Sequence, residues 1–120
     1  MSYGKAVQEE LRKRTHDLRQ VIPAVYQGYR ELHDATLAAG ALDTKTKELI
    51  ALAIGVSKEC DGCIAAHARG AVLHGATPEE AAEAIGVTFL MNGGPGTVYG
   101  ARAYAAFTEF YSAHGSGEAG

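Results

Sequence analysis

The sequence predicts an all-α fold of about six helices. Three observations carry that prediction. Glycine and proline breakers cut the chain into pieces of helix length. Apolar residues within those pieces recur at helical spacing. No segment alternates apolar and polar residues with β-branched enrichment. The 120 residues suit one domain with one core. Apolar residues make up 47% and charged residues 21%, with a formal net charge of −3, an ordinary globular composition.

Residues 4–20 read as a polar, charge-rich first helix whose apolar contacts are Val7, Leu11 and Leu18. Pro23 suits the first turn of a second helix over 23–39, which carries Val25, Tyr29, Leu32 and Leu37 and ends at Gly40. Asp43 or Thr44 caps a third helix over 44–56, with a stripe of Leu49, Leu52, Ala53 and Val56. Gly55 and Ser57 mark its end, and Ser57 is placed to cap the next helix. That fourth helix runs from about Cys60 to His74 and stops at Gly75. Its alanines, Ala65, Ala66, Ala68 and Ala71, let neighbours come close, which puts it at the centre. "TPEE" (77–80) is a capping box, with Thr77 as N-cap, Pro78 at N1 and Glu80 at N3, and it opens a fifth helix that runs to Met91. "NGGPG" (92–96) breaks the chain before a sixth helix over about 97–113. It lacks the lysine and the preceding strand of a phosphate loop and reads as an interhelix turn. The tail "HGSGEAG" (114–120) reads as disordered, which leaves 1–113 as the single domain.

The charge balance argues against nucleic acid as a partner. The longest apolar run, "LIALAIGV" (49–56), is far below the roughly 20 residues that span a bilayer. The first twenty residues are charged throughout and have no apolar core of a signal peptide. The expected compartment is therefore the cytoplasm, where a cysteine pair is more often catalytic or metal-binding than structural. A bridge across so short a span would also remove little entropy from the unfolded chain.

The two cysteines of the chain lie together in "ECDGCIAAH" (59–67). At about 100° per residue, Cys60, Cys63 and His67 fall within about 60° of one another on one helix face. Cys63 and His67 are an i,i+4 pair. In the first turn, unpaired N–H groups and the positive end of the helix dipole favour a thiolate, and a nearby imidazole can take the thiol proton. A second cysteine can then resolve the oxidised product as a disulfide. The same residues fit a second reading, a tetrahedral metal module of Cys60, Cys63 and His67 completed by Glu48 or His74. The presence of a single CxxC favours redox chemistry over metal. Glu48 opens the third helix and could orient His67 by accepting its second N–H. From the pattern alone, it reads as a solvated first-turn carboxylate. His74 shares the cluster face but sits where a histidine favours the helix dipole. Tyr99, Tyr104, Phe107, Phe110 and Tyr111 form an aromatic stripe assigned to a subunit contact. His16, His33 and His114 have no partner visible in the sequence.

The assembled pattern, Glu48-x11-Cys60-x2-Cys63-x3-His67, resembles the alkylhydroperoxidase D core within the wider carboxymuconolactone decarboxylase family. The likeness runs through "KELIALAIGVSKECDGCIAAHARGAVLHGATPEEAAEAI" (47–85) and covers roughly residues 35–92, as a small member with one copy of the core. It implies an all-α homo-oligomer, trimeric or hexameric, and a peroxiredoxin-type peroxidase that needs no haem, metal or other cofactor. Carried over by position, Glu48 and His67 form the proton relay, Cys63 is the peroxidatic thiolate and Cys60 resolves it. The implied partners are a hydroperoxide or disulfide substrate and a dithiol reductant, lipoyl-linked in full-length relatives. The family's other branch, the lactone decarboxylases, does not depend on a CxxC pair. One departure stands out. Some members carry a histidine between the cysteines, and Asp61-Gly62 occupies that place here. Asp61 is therefore expected to disfavour the thiolate by like-charge proximity.

Overall fold

The computed structural model describes residues 2–115, and among them every regular element is a helix. In chain order these are α1 (Lys5–Val21), α2 (Pro23–Leu37), α3 (Thr44–Ser57), α4 (Asp61–Leu73), α5 (Pro78–Asn92) and α6 (Gly94–Gly115). Helices α3 to α6 pack on one another, α1 lies across α4, and α2 is held lightly against α1 and α3.

The core is made by α3 to α6. Leu52, Val56, Ile64, Phe107 and Phe110 have at most 1% of their surface exposed. Each such burial is worth about 1.5–3 kcal/mol. Ala65, Ala68, Ala71, Ala103 and Ala106 are fully buried and let the helices approach closely, so α4 is central as expected. Phe107 and Phe110 are core residues of the single chain, which corrects the reading of the whole aromatic stripe as a subunit contact. Only Tyr104 and Tyr111 are exposed from it. The outer pair is different. Neither α1 nor α2 buries a residue, and Val25, Tyr29 and Leu32 stand 62–66% exposed along α2.

Local chemistry sets the helix ends. Asp43 accepts the Thr46 N–H and caps α3, and the neighbouring Thr44 hydroxyl donates to the Leu37 carbonyl. Lys47 reaches back to the Thr36 and Ala38 carbonyls, so α2 ends before Gly40 and does not need it as a cap. The capping box at Thr77 and Glu80 is present with both of its hydrogen bonds. Lys45 bonds the second oxygen of Glu80, and that bond, with the Thr77 N–H, holds the carboxyl below its ordinary range. The sixth helix begins three residues earlier than expected. Pro95 falls in the first turn, where its missing N–H costs nothing, so "GPG" opens α6. It also runs on through His114 and Gly115, beyond the expected end at residue 113. Residues 116–120 of the expected tail lie outside the described residues.

Candidate functional site

The corner between α3 and α4 fixes the first cysteine. Cys60 N–H donates to the Gly55 carbonyl and Glu59 N–H to the Val56 carbonyl, the paired bonds of a Schellman motif. The residue that takes the left-handed conformation there is Glu59, at φ 54°, where glycine is usual. Cys60 follows it and is at once the N-cap of α4. Its carbonyl accepts the Ile64 N–H, and its sulfur accepts the Cys63 N–H at 3.2 Å. Ser57, expected to cap α4, instead donates to Ala53 within α3 and accepts from Asn92. Gly55 does not end α3 either. A Cβ there would sit 3.4 Å from Cys63 Cβ, so its role is the close approach of the two helices.

Cys60 and Cys63 are joined as a disulfide, the oxidised state of the pair. Behind them, on the next turns of α4, is the second half of the site. Glu48 is only 4% exposed, and its Oε1 lies 2.6 Å from His67 Nδ1. The first-turn reading of a solvated carboxylate does not hold, because α3 turns Glu48 inward against α4. Gly70 makes that possible. A Cβ at Gly70 would come 2.0 Å from Glu48 Oε2, so only glycine leaves room for the carboxylate. With Glu48 ionised, the carboxylate can only accept, so Nδ1–H donates to it and Nε2 is left as the nitrogen that can take a proton. His74, one turn beyond Gly70, is engaged with the Gly70 carbonyl through Nδ1 at 2.9 Å and does not join Glu48.

Three partners were not legible in the sequence. His33 of α2 stacks on His67, with ring centroids 6.3 Å apart and planes 19° from parallel. Arg102 of α6 binds both oxygens of Asp61, at 3.0 and 3.3 Å. Its guanidinium lies over the Tyr3 and Tyr99 rings, at 5.0 and 4.5 Å from their centroids. Desolvation works against that charge, yet Asp61 and the two phenols outweigh it and hold the arginine above its ordinary pKa. The Asp61 charge is thereby offset by a partner, which removes the basis for treating it as an isolated repulsion on the cysteines. Finally, Arg69 faces a cleft rather than open solvent. The His–His and Asp–Arg contacts join residues more than thirty positions apart, and no local signal announces them.

Among the described residues, no three His, Cys, Asp or Glu side chains are grouped to hold a metal ion. No helix of the described residues is long and apolar enough to cross a membrane.

The sequence profile of the carboxymuconolactone decarboxylase family matches residues 23–107, a span that contains Glu48, Cys60, Cys63 and His67. The chain belongs to that family. Among solved structures, it is similar to apo-lpg0406, a carboxymuconolactone decarboxylase family protein of Legionella pneumophila. The identity is 41%, covering 86% of this chain and 92% of that one, with a TM-score of 0.82. It is also similar to a family member of Thermotoga maritima described, with reservation, as involved in antioxidative response. There the identity is 28%, covering 89% of this chain and 97% of that one, with a TM-score of 0.74. Uncharacterised relatives occur in Cupriavidus necator, 37% identical over 82% of this chain and 87% of the relative, and in the cox locus of Paracoccus denitrificans, 36% identical over 72% and 78%. The family match begins at α2, and the likeness to the two solved structures, over 86% and 89% of the chain, reaches into α1.

Proposed function

We propose that the chain is a dithiol–disulfide oxidoreductase of the alkylhydroperoxidase type, with Cys60 and Cys63 carrying electrons and Glu48 and His67 handling the proton. The observation that carries this reading is the buried Glu48–His67 hydrogen bond on the helix that opens with the cysteine pair. A buried carboxylate costs stability unless it is well paired, and His67 is the partner Glu48 has.

In the reduced protein, His67 Nε2 accepts the Cys63 thiol proton, and Glu48 supports the imidazolium through Nδ1–H. The Cys63 thiolate attacks the terminal oxygen of a hydroperoxide. The S–O bond forms, the O–O bond breaks, and the alkoxide leaves as an alcohol after taking the proton. Cys63 is then a sulfenic acid. The Cys60 sulfur, having given up its proton, attacks it. The S–S bond forms, and hydroxide leaves as water. An external dithiol returns two electrons and two protons and is itself oxidised to a disulfide. A reducing cytoplasm suits this cycle. The exposed Val25, Tyr29 and Leu32 of α2 suit burial in a homo-oligomer, trimeric or hexameric. A lactone decarboxylase reading leaves the cysteine pair without a role.

The test reduces the protein, adds one equivalent of an organic hydroperoxide, and follows intact mass and free thiols. Loss of two hydrogens and both thiols is expected, about 10²-fold slower or more in His67→Ala. A sulfenic adduct is expected in Cys60→Ser and not in Cys63→Ser. Thiols that react no faster than free cysteine would remove hydroperoxides as the substrate. Undiminished turnover of any substrate in a double Cys→Ser variant would sink the thiol mechanism.

A further inference from the structure

The flank of α4 next to the cysteines borders a cleft of about 790 Å³ between α1, α2 and α4. That is the size of a small-molecule site. Among the described residues, Lys5, Arg12 and Arg19 of α1, Arg30 of α2 and Arg69 of α4 line it together with the carboxylate of Glu9. This collection of cations occurs in a chain whose formal net charge is −3. Gathering like charges in a concavity is unfavourable, and neither α1 nor α2 needs them for a core, since neither buries a residue. Arg19 is steadied over the Tyr26 ring, 5.2 Å from its centroid. Guanidinium forks match the oxygens of carboxylates and phosphates.

The position of the cleft ties it to the site. Gly62 and Ala66 line it, and Ala66 lies about 60° from Cys63 around the helix. A second hollow, of about 640 Å³, shares Arg19 and Arg30 with the first and reaches His33, the ring that stacks on His67. The cationic surface therefore extends from the side of the cysteines to the side of the histidine pair. Three of its five cations come from α1.

We propose that this cleft seats the anionic group, carboxylate or phosphate, of the small molecule that exchanges electrons with Cys60 and Cys63. The purpose of the seat rests on the redox reading, whereas its binding chemistry does not.

The experiment has a binding arm and two kinetic arms. Inorganic pyrophosphate is titrated into the disulfide form at constant ionic strength, with amide shifts followed by NMR. Shifts at Gly62 and Ala66 are expected, and they are expected to vanish in Arg12→Gln/Arg30→Gln. Reduced protein is then oxidised with linoleic acid hydroperoxide and with its methyl ester. Disulfide protein is reduced with dihydrolipoate and with its neutral amide. A preference of about tenfold for the acid is expected in the arm whose reagent brings the anion, the oxidant or the reductant. Arg12→Gln/Arg30→Gln should abolish that preference. Arg14→Gln removes a charge from α1 outside the cleft, where Arg14 pairs with Glu10, and should keep it. Circular dichroism melting checks that the variants fold. Reactive thiols without an acid preference in either arm would overturn the anion seat and leave the redox reading in place. Thiols inert to all four reagents, with the pyrophosphate shifts intact, would overturn the redox reading and leave the anion seat.

Discussion

Helix α4 buries Ile64, Ala65, Ala68, Ala71 and Val72, whereas α1, across the cleft from it, buries none of its 17 residues. The two helices face one another but are made by different forces. α4 is small-residue rich and locked by α3 and α6, and it carries the atoms that would react. α1 is long-chained and charged, and it contributes most of the cations. The difference separates two tasks. Reacting groups need fixed geometry, which a packed core supplies. Recognition of a flexible anion tolerates a layer held by few apolar contacts. Such a layer can also change without disturbing the core.

The largest effect that sharpens this contrast is on stability. Phe107→Ala, in the core beside α4, should cost about 3–5 kcal/mol. Leu18→Ala, 50% exposed on α1, should stay within about 0.5 kcal/mol. Urea unfolding of both variants is the measurement. A loss of several kcal/mol at Leu18 would break the contrast by placing α1 in the core.

Next comes the space under Glu48. Gly70→Ala must push the carboxylate away from His67, because the new Cβ would fall 2.0 Å from Oε2. Thiol oxidation should slow about 10²-fold, with a stability loss of about 1–3 kcal/mol from overpacking. An unchanged oxidation rate in a folded variant would remove Glu48 from the relay.

A smaller effect of opposite sign is expected at the α3–α4 corner. Glu59→Gly relieves a left-handed conformation and should raise stability by up to about 1 kcal/mol. The midpoint of urea unfolding reads it, and a lower midpoint would mean that the Glu59 side chain outweighs the strain.

The smallest effect is electrostatic. Glu80 is held below its ordinary 4.5 first by Lys45 and then by the Thr77 N–H, and Asp43 below its ordinary 3.8 by Thr46. Because their folded values are depressed, their contribution is present above those ordinary values and is lost as pH falls through the folded ones. Melting temperature should therefore decline from about pH 4.5 downward, and less steeply in Glu80→Gln. An equal slope in that variant would exclude the capping box as a source.

The sequence was most readable where short-range chemistry decides. Helix α5 was legible because Thr77, Pro78 and Glu80 carry its start within four residues. The i,i+4 spacing of Cys63 and His67 lies within α4, whereas Cys60 precedes the helix as its N-cap in extended backbone, where helical spacing does not apply. Legibility failed where the deciding partner lies on another helix. From the helix pattern alone Glu48 read as solvated, because nothing local reveals the empty Cα of Gly70, 22 positions later, and only the family resemblance set it beside His67. Asp61 read as an isolated charge because Arg102 stands 41 residues away. The start of α6 was missed for a different reason. A proline between two glycines reads as a break, yet a helix tolerates proline in its first turn.

The backbone of Cys60 is tied on both sides by bonds that involve no sulfur, from its N–H to Gly55 and from Ile64 N–H to its carbonyl. Opening and closing the disulfide therefore has no need to remake the corner. Reorganisation on opening the disulfide should then be confined to the two cysteine side chains. If the pair cycles as proposed, one scaffold would then serve both states, with no refolding around the electrons.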